Sequence, residues 1–287
     1  MEEEKKSKLN LTWPKLIIFA IIAGVYTAIM AMLEVAKDTS FSDIIATFEV
    51  WILFGILIIM HSKSKVDSAL KCFVFFLISQ PLVYLIQDVI NHSHLFVTYY
   101  RYWFILTVAC LPMGFIGYLM KKDKWWGLLI LIPILLLLSL TFGLYFVTTV
   151  FSFPRHLLTT IFCGVTLIFY PLYIFKNKKI KITGLIISCL LIGFWIIWGI
   201  THPYVYSTDF LSNNEKHPFD DTYKAYFADD SFGKLTIVYD DHIEDWFLHA
   251  EVVKAGKTEF TLESPTGEKM VYEITIKRDT YDLNRKQ

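Results

Sequence analysis

The chain is 287 residues long, 55% hydrophobic and 17% aromatic, with 19% charged residues and no net formal charge; its mean hydropathy is +0.47. That is too apolar for an ordinary soluble globule of this size and places the chain in a lipid bilayer. The neutral balance hides an asymmetry: residues 1–200 hold 17 Lys and Arg against 10 Asp and Glu, whereas residues 201–287 hold 10 against 17. An acidic C-terminal part excludes nucleic acid as its partner, because a phosphate backbone demands a basic face.

Apolar runs of about 20 residues, the length a helix needs to cross a hydrocarbon core of about 30 Å, recur through the first 200 positions. They predict a seven-helix bundle over residues 1–200, with spans at Trp13 to Leu33, Ser42 to Met60, Ala69 to Ile90, Tyr99 to Met120, Trp125 to Val147, Arg155 to Phe175 and Ile180 to Ile200. The first run exceeds the ~7 to 15 apolar residues of a signal peptide and reads as a retained anchor. Lysines gather at the start (Lys5, Lys6, Lys8, Lys15) and in the second, fourth and sixth connections (Lys63, Lys65, Lys71; Lys121, Lys122, Lys124; Lys176, Lys178, Lys179, Lys181). Only Lys37, Arg101 and Arg155 fall on the other side. The positive-inside rule then predicts a plasma-membrane protein with a cytoplasmic N-terminus and, after seven crossings, a C-terminal part outside. Cys72, Cys110, Cys163 and Cys189 all lie within apolar runs and read as small packing residues; no disulfide framework is expected.

Within the spans, ionisable and polar groups draw attention because each is costly in lipid. Glu49 lies about eight residues inside the second span, ~12 Å deep. The third carries Gln80, Tyr84, Gln87, Asp88 and Asn91 on one face, and the sixth carries His156, Thr159, Thr160, Cys163, Thr166 and Tyr170 on another. Arg101 enters at the outer end of the fourth. Two readings stay open. These groups knit helices together, or Glu49, Gln80, Tyr84, Gln87, Asp88, Arg101, His156 and Thr160 line an outward-facing polar pocket between spans two, three, four and six. LISQPL (Leu77 to Leu82) and LIFYPL (Leu167 to Leu172) share a Leu-Ile-x-x-Pro-Leu pattern in oppositely directed spans, as an inverted repeat or chance would give. The stretch DVINHSHLFVTYYRYW offers Asp88, His92 and His94 as metal candidates, provided that the helix ends between the two histidines. No nucleophile elbow, HExxH pair, Walker loop or Rossmann glycine pattern is present, and no cofactor is expected.

Residues 201–221, THPYVYSTDFLSNNEKHPFDD, are polar and read as a stalk or linker. Over residues 222–287 the apolar period changes to two: Leu235, Ile237, Tyr239; Trp246, Leu248, Ala250; Phe260, Leu262; Met270, Tyr272, Ile274, Ile276. The turn signals DDSFG, KAGK and SPTGE separate these runs, which predicts a small all-β sandwich. The stretch Asp240, Asp241, His242, Glu244, Asp245 reads as a solvated acidic turn, since it lacks EF-hand spacing. GKTEFTLESPTGEKMVYEITIKR, with its Gly-x-Thr strand, Pro/Gly turn and alternating tyrosine, resembles the closing hairpin of bacterial extracytoplasmic immunoglobulin-like modules. The membrane part is similar in style to uncharacterised bacterial polytopic membrane proteins.

That resemblance implies an Ig-like fold serving adhesion, spacing or protein contact. Three functions are therefore in play. The first is a bilayer-embedded anchor for an extracytoplasmic module that meets a protein or cell-wall partner, and the sequence favours it. The others are a transporter-like protein handling a small solute or lipid, and an intramembrane enzyme using Asp88, His92 and His94.

Overall fold

The computed structural model describes residues 11–37, 39–46, 49–92, 94–214, 217–277 and 280–286. Contacts divide the chain into two compact units, residues 1–143 with 158–195, and residues 144–157 with 196–287. Eight α-helices are seen among the described residues: α1 (Trp13–Met32), α2 (Ser40–Ala46), α3 (Glu49–His61), α4 (Lys65–Asn91), α5 (Leu95–Gly117), α6 (Trp125–Phe151), α7 (Leu157–Ile174) and α8 (Lys178–Thr201). Six of them, all but α2 and α3, are long and apolar enough to cross a membrane. By length and composition the chain is a multi-pass membrane protein.

The second expected span, Ser42 to Met60, is described as helix over Ser40–Ala46 and Glu49–His61, 7 and 13 residues, and residues 47 and 48 lie outside the described residues. Thirteen residues rise only about 20 Å, so α3 alone falls short of a crossing.

Several contacts fix helix directions. The Lys71 ammonium lies 5.9 Å over the Trp13 ring, Leu16 and Ala20 share a core with Phe75, Trp51 and Ile58, and a Cβ on Gly24 would stand 2.6 Å from the Ser79 carbonyl oxygen. Contacts advance along both helices together, so α1 and α4 run parallel. By contrast, α5 runs against α4: the Ser68 hydroxyl donates to the Gly114 carbonyl at 2.8 Å, and Tyr84 stacks on Tyr99 at the other end. Between α7 and α8, the Ser188 hydroxyl donates to the Leu167 carbonyl at 2.7 Å. That carbonyl is the one Pro171, four residues on, leaves without its helical N–H. At the start of α4, Ser64 Oγ accepts the Asp67 N–H while the Asp67 carboxylate accepts the Lys63 N–H, a reciprocal cap like the capping box.

The second unit holds seven strands: β1 (Tyr206–Ser212), β2 (Lys224–Phe227), β3 (Gly233–Asp240), β4 (Asp245–Val252), β5 (Gly256–Glu263), β6 (Lys269–Ile276) and β7 (Tyr281–Arg285). They form two antiparallel sheets, β1-β4-β3 and β2-β5-β6-β7. The period-two pattern is realised, with Leu248, Ala250, Phe260, Leu262, Tyr272, Ile274 and Ile276 in a common core.

The expected stalk is corrected in part. Tyr206–Ser212 is strand β1, and both Phe210 and Phe219 enter the core. A register shift between Asp209 and Leu211 turns the adjacent Phe210 and Leu211 inward together, which breaks the alternation that announces a strand. The outward Ser207 and Asp209 grip the two nitrogens of His249, at 2.9 and 2.8 Å.

The immunoglobulin expectation also changes. β5 and β6 do pair as the GKTEFTLE and KMVYEITI hairpin, but β7 follows beside β6 in the same sheet. In an immunoglobulin constant domain the fifth and sixth strands belong to opposite sheets. The end of α6 belongs to this unit too: Phe151 is buried in the sandwich core, meets Tyr204 edge-on at 4.9 Å and accepts the Ala255 N–H on its carbonyl at 2.9 Å.

Candidate functional site

In the helical unit, α2, α3 and α7 bring two carboxyl groups together with hydroxyls. Ser40 opens α2, and its Oγ accepts the Thr159 backbone N–H at 3.1 Å. Thr159 sits in the first turn of α7, where backbone N–H groups have no helical acceptor, so Ser40 supplies one. The Thr159 hydroxyl in turn donates to Asp43 Oδ2 at 2.5 Å. One turn further along α7, Cys163 Sγ donates to Glu49 Oε1 at 3.6 Å. Asp43 is 8% exposed and Glu49 1%.

Thr159, Cys163, Thr166 and Tyr170 recur at i, i+4, i+7 and i+11, and all four are buried. Tyr170 is fully buried and its hydroxyl has no hydrogen-bond partner among the described residues. Beside this group lies a cavity of about 190 Å³, lined on its polar side by Ser40, Asp43, Glu49 and Thr159 and elsewhere by apolar and aromatic side chains of α1, α2, α3 and α7. Tyr26, six residues before the end of α1, reaches it; so does Phe162, five residues into α7. These offsets put the cavity roughly 8 to 9 Å, less than two helical turns, from those helix ends.

The chain matches no protein-family model, no curated protein and no solved structure. Its chemistry is read from its own side chains.

Of the eight residues expected to share a pocket, Glu49 alone lines this cavity. Gln80 is buried on α4, and its amide nitrogen has no partner among the described residues. Tyr84 packs on Tyr99. Gln87 donates to the Val83 carbonyl of its own helix at 2.7 Å, and Asp88 accepts the Phe96 N–H at 2.9 Å, fastening the start of α5. Arg101 is exposed and turned to its neighbour: its Nη2 donates to Tyr102 Oη at 2.9 Å and its guanidinium lies 4.8 Å over that ring. Thr160 is buried on α7, while His156 falls in the other unit, buried against Tyr145.

His92 is the left-handed cap of α4 and His94 the residue before α5, both exposed. α4 does end there, at Asn91 just before them, yet among the described residues no three His, Cys, Asp or Glu side chains are placed to hold a metal.

Sequence reasoning missed Asp43, Ser40 and Tyr26, and it treated Cys163 as packing where it donates to Glu49. A signal for the first two exists in SFSD, Ser40 to Asp43. A hydroxyl residue followed three positions later by an acid, just before an apolar run, marks a helix start.

Proposed function

We propose that this chain is a membrane protein of seven crossings, N-terminus in the cytoplasm, that mounts its β-sandwich on the outer face of the cell membrane to contact an extracytoplasmic protein or cell-wall component. The observation that carries this reading is the mount itself. The sandwich has a continuous core of its own, yet Phe151 at the end of α6 and Tyr204 just after α8 are built into it. The end of α6 and the residues after α8 thus belong to the same unit as the sheets, which suits a module carried at the ends of two membrane helices.

Seven crossings are supported by the parallel course of α1 and α4, since a chain that crosses twice in the same direction must return in between. The twenty residues of α2 and α3, about 30 Å of helix, are long enough to do so. The distribution of lysine supports the orientation.

The surface best suited to a partner is the turn between β3 and β4. Ile243 is 63% exposed there, Val238 and Tyr239 are exposed beside it, and Asp240, Asp241, Glu244 and Asp245 surround it. An apolar spot ringed by carboxylates suits a partner with basic groups around an apolar one. Asp241→Cys in the full-length protein should react with a membrane-impermeant maleimide on intact cells. Reaction only after permeabilisation would reverse the orientation. A photo-crosslinking residue at position 243 should trap one discrete partner, lost on adding Asp241→Lys and Glu244→Lys; a crosslink to nothing would remove this turn as the contact surface.

A further inference from the structure

We infer that the β4–β5 turn, residues 253–255, rests in the lipid interface beside the end of α6, so that the sandwich stands on the bilayer through Val253 and Phe153. This goes beyond the contact surface at the β3–β4 turn. It rests only on α6 and α8 crossing a membrane, whichever side the sandwich occupies.

Reach is the first argument. α6 has 27 residues, a rise of about 40 Å, against a hydrocarbon core of about 30 Å and a bilayer of about 40 to 45 Å with its headgroups. A helix of that length set across the bilayer ends among the headgroups. Phe151 is its last residue, and the Phe151 carbonyl accepts the Ala255 N–H at 2.9 Å. Val253 is two residues from Ala255, and two residues of extended chain span at most about 7 Å. The turn is therefore held within about 10 Å of the helix end, a distance comparable with the depth of a headgroup layer.

Exposure is the second argument. Phe153, two residues past α6, is 71% exposed, Val205 44% and Val253 38%. Phe151 gathers these segments: its ring meets Tyr204 edge-on and its carbonyl holds Ala255. Three connections distant in sequence thus leave apolar side chains uncovered at the place where the chain leaves the bilayer. Interfacial lipid is the covering at hand there, and it favours aromatic and aliphatic side chains.

Charge is the third. Lys254 pairs with Asp229 at 3.9 Å and Lys257 with Glu273 at 2.9 Å, so the turn meets lipid with its lysines matched. The other end of β4 is the opposite case. Asp240, Asp241, Glu244 and Asp245 surround Ile243 there, and the negative potential of anionic lipid repels them. The eight residues of β4 separate the two ends by about 25 Å. Of the two, the end tied to α6 is the one suited to lipid.

The test uses the full-length protein in vesicles of phosphatidylcholine and phosphatidylglycerol. A benzophenone side chain is placed at position 253, 153 or 243, one at a time, and adducts are read by mass spectrometry after irradiation. All three native side chains are exposed, so the substitutions leave the cores intact. Position 253 should yield at least about fivefold more lipid adduct than position 243, although Ile243 is the more exposed of the two. Position 153 should yield lipid adduct as well. The inference is overturned if position 253 yields no more lipid adduct than position 243, or if it crosslinks to protein in place of lipid. Adduct at 153 alone overturns it too, since the helix end would then lie at the interface with the turn clear of it. Failure of the maleimide test at position 241 would reverse the orientation and leave this outcome unchanged.

Discussion

Helices α4 and α7 carry polar stripes that look alike as sequence, yet they spend them differently. On α4 the groups turn to local work: Gln87 bonds a carbonyl of its own helix, Asp88 caps α5, and Tyr84 packs on Tyr99. On α7 the groups reach across the fold: Thr159 contacts both Ser40 and Asp43, and Cys163 contacts Glu49. The difference lies in the partner helix. α4 packs against α1 and α5 where backbones come close, at Gly24 against Ser79 and Ser68 against Gly114. α7 instead faces α2 and α3, which bring Asp43 and Glu49 to it. A stripe of polar residues is a site only where the opposing surface is polar too.

The largest effect expected from this comparison is at the α1–α4 seam. Gly24→Leu would drive a side chain into the Ser79 backbone and should cost about 3 kcal/mol or more of stability in an unfolding titration in mixed micelles. Gly164→Ala on α7 is the contrasting change: its Cβ would meet Phe142 at an ordinary 3.4 Å, and stability should hold or rise by about 0.5 kcal/mol from helix propensity. Equal losses at the two sites would erase the distinction between a closed seam and a face with room.

Next comes the cost of removing a hydrogen bond that spans the fold. Thr159→Val withdraws the donor to Asp43 and should cost about 1 to 3 kcal/mol, because the carboxyl group stays buried. Gln87→Leu on α4 loses only a bond to its own helix and should change stability by less than about 0.5 kcal/mol in the same titration. Asp88 gives a finer discrimination. Asp88→Ala should cost about 1 kcal/mol through the lost cap, while Asp88→Asn, which keeps the acceptor, should cost far less. If Asn proves as damaging as Ala, the charge of Asp88 matters and the α4 stripe is more than packing.

Much of this architecture was legible because lipid imposes length and water imposes alternation. The six long helices and the β3–β4 and β5–β6 hairpins follow from those two periods. The failures have physical causes of the same kind. β1 was hidden by the bulge that turns Phe210 and Leu211 to one side. At the site, sequence periodicity identified the buried face of α7, including Thr159, Cys163 and Tyr170. It gave no means of choosing the opposing helix, so the expected pocket joins Glu49 to Gln80 and Arg101, when Glu49 shares its cavity with Asp43 and a hydrogen bond with Cys163. Depth along separate spans says nothing about which faces meet.

Gln80 offers the sharpest small test of how far the α4 stripe is idle. It is 2% exposed, and its amide nitrogen has no hydrogen-bond partner among the described residues. A buried donor in that state carries its desolvation cost without return, whereas methionine has nearly the same length and no such group. Gln80→Met should therefore leave stability unchanged or raise it by about 1 kcal/mol, read in the same unfolding titration. A loss of stability of that size would mean that the amide is engaged in the membrane-embedded protein, and α4 would then join α7 as a helix whose polar face reaches beyond its own packing.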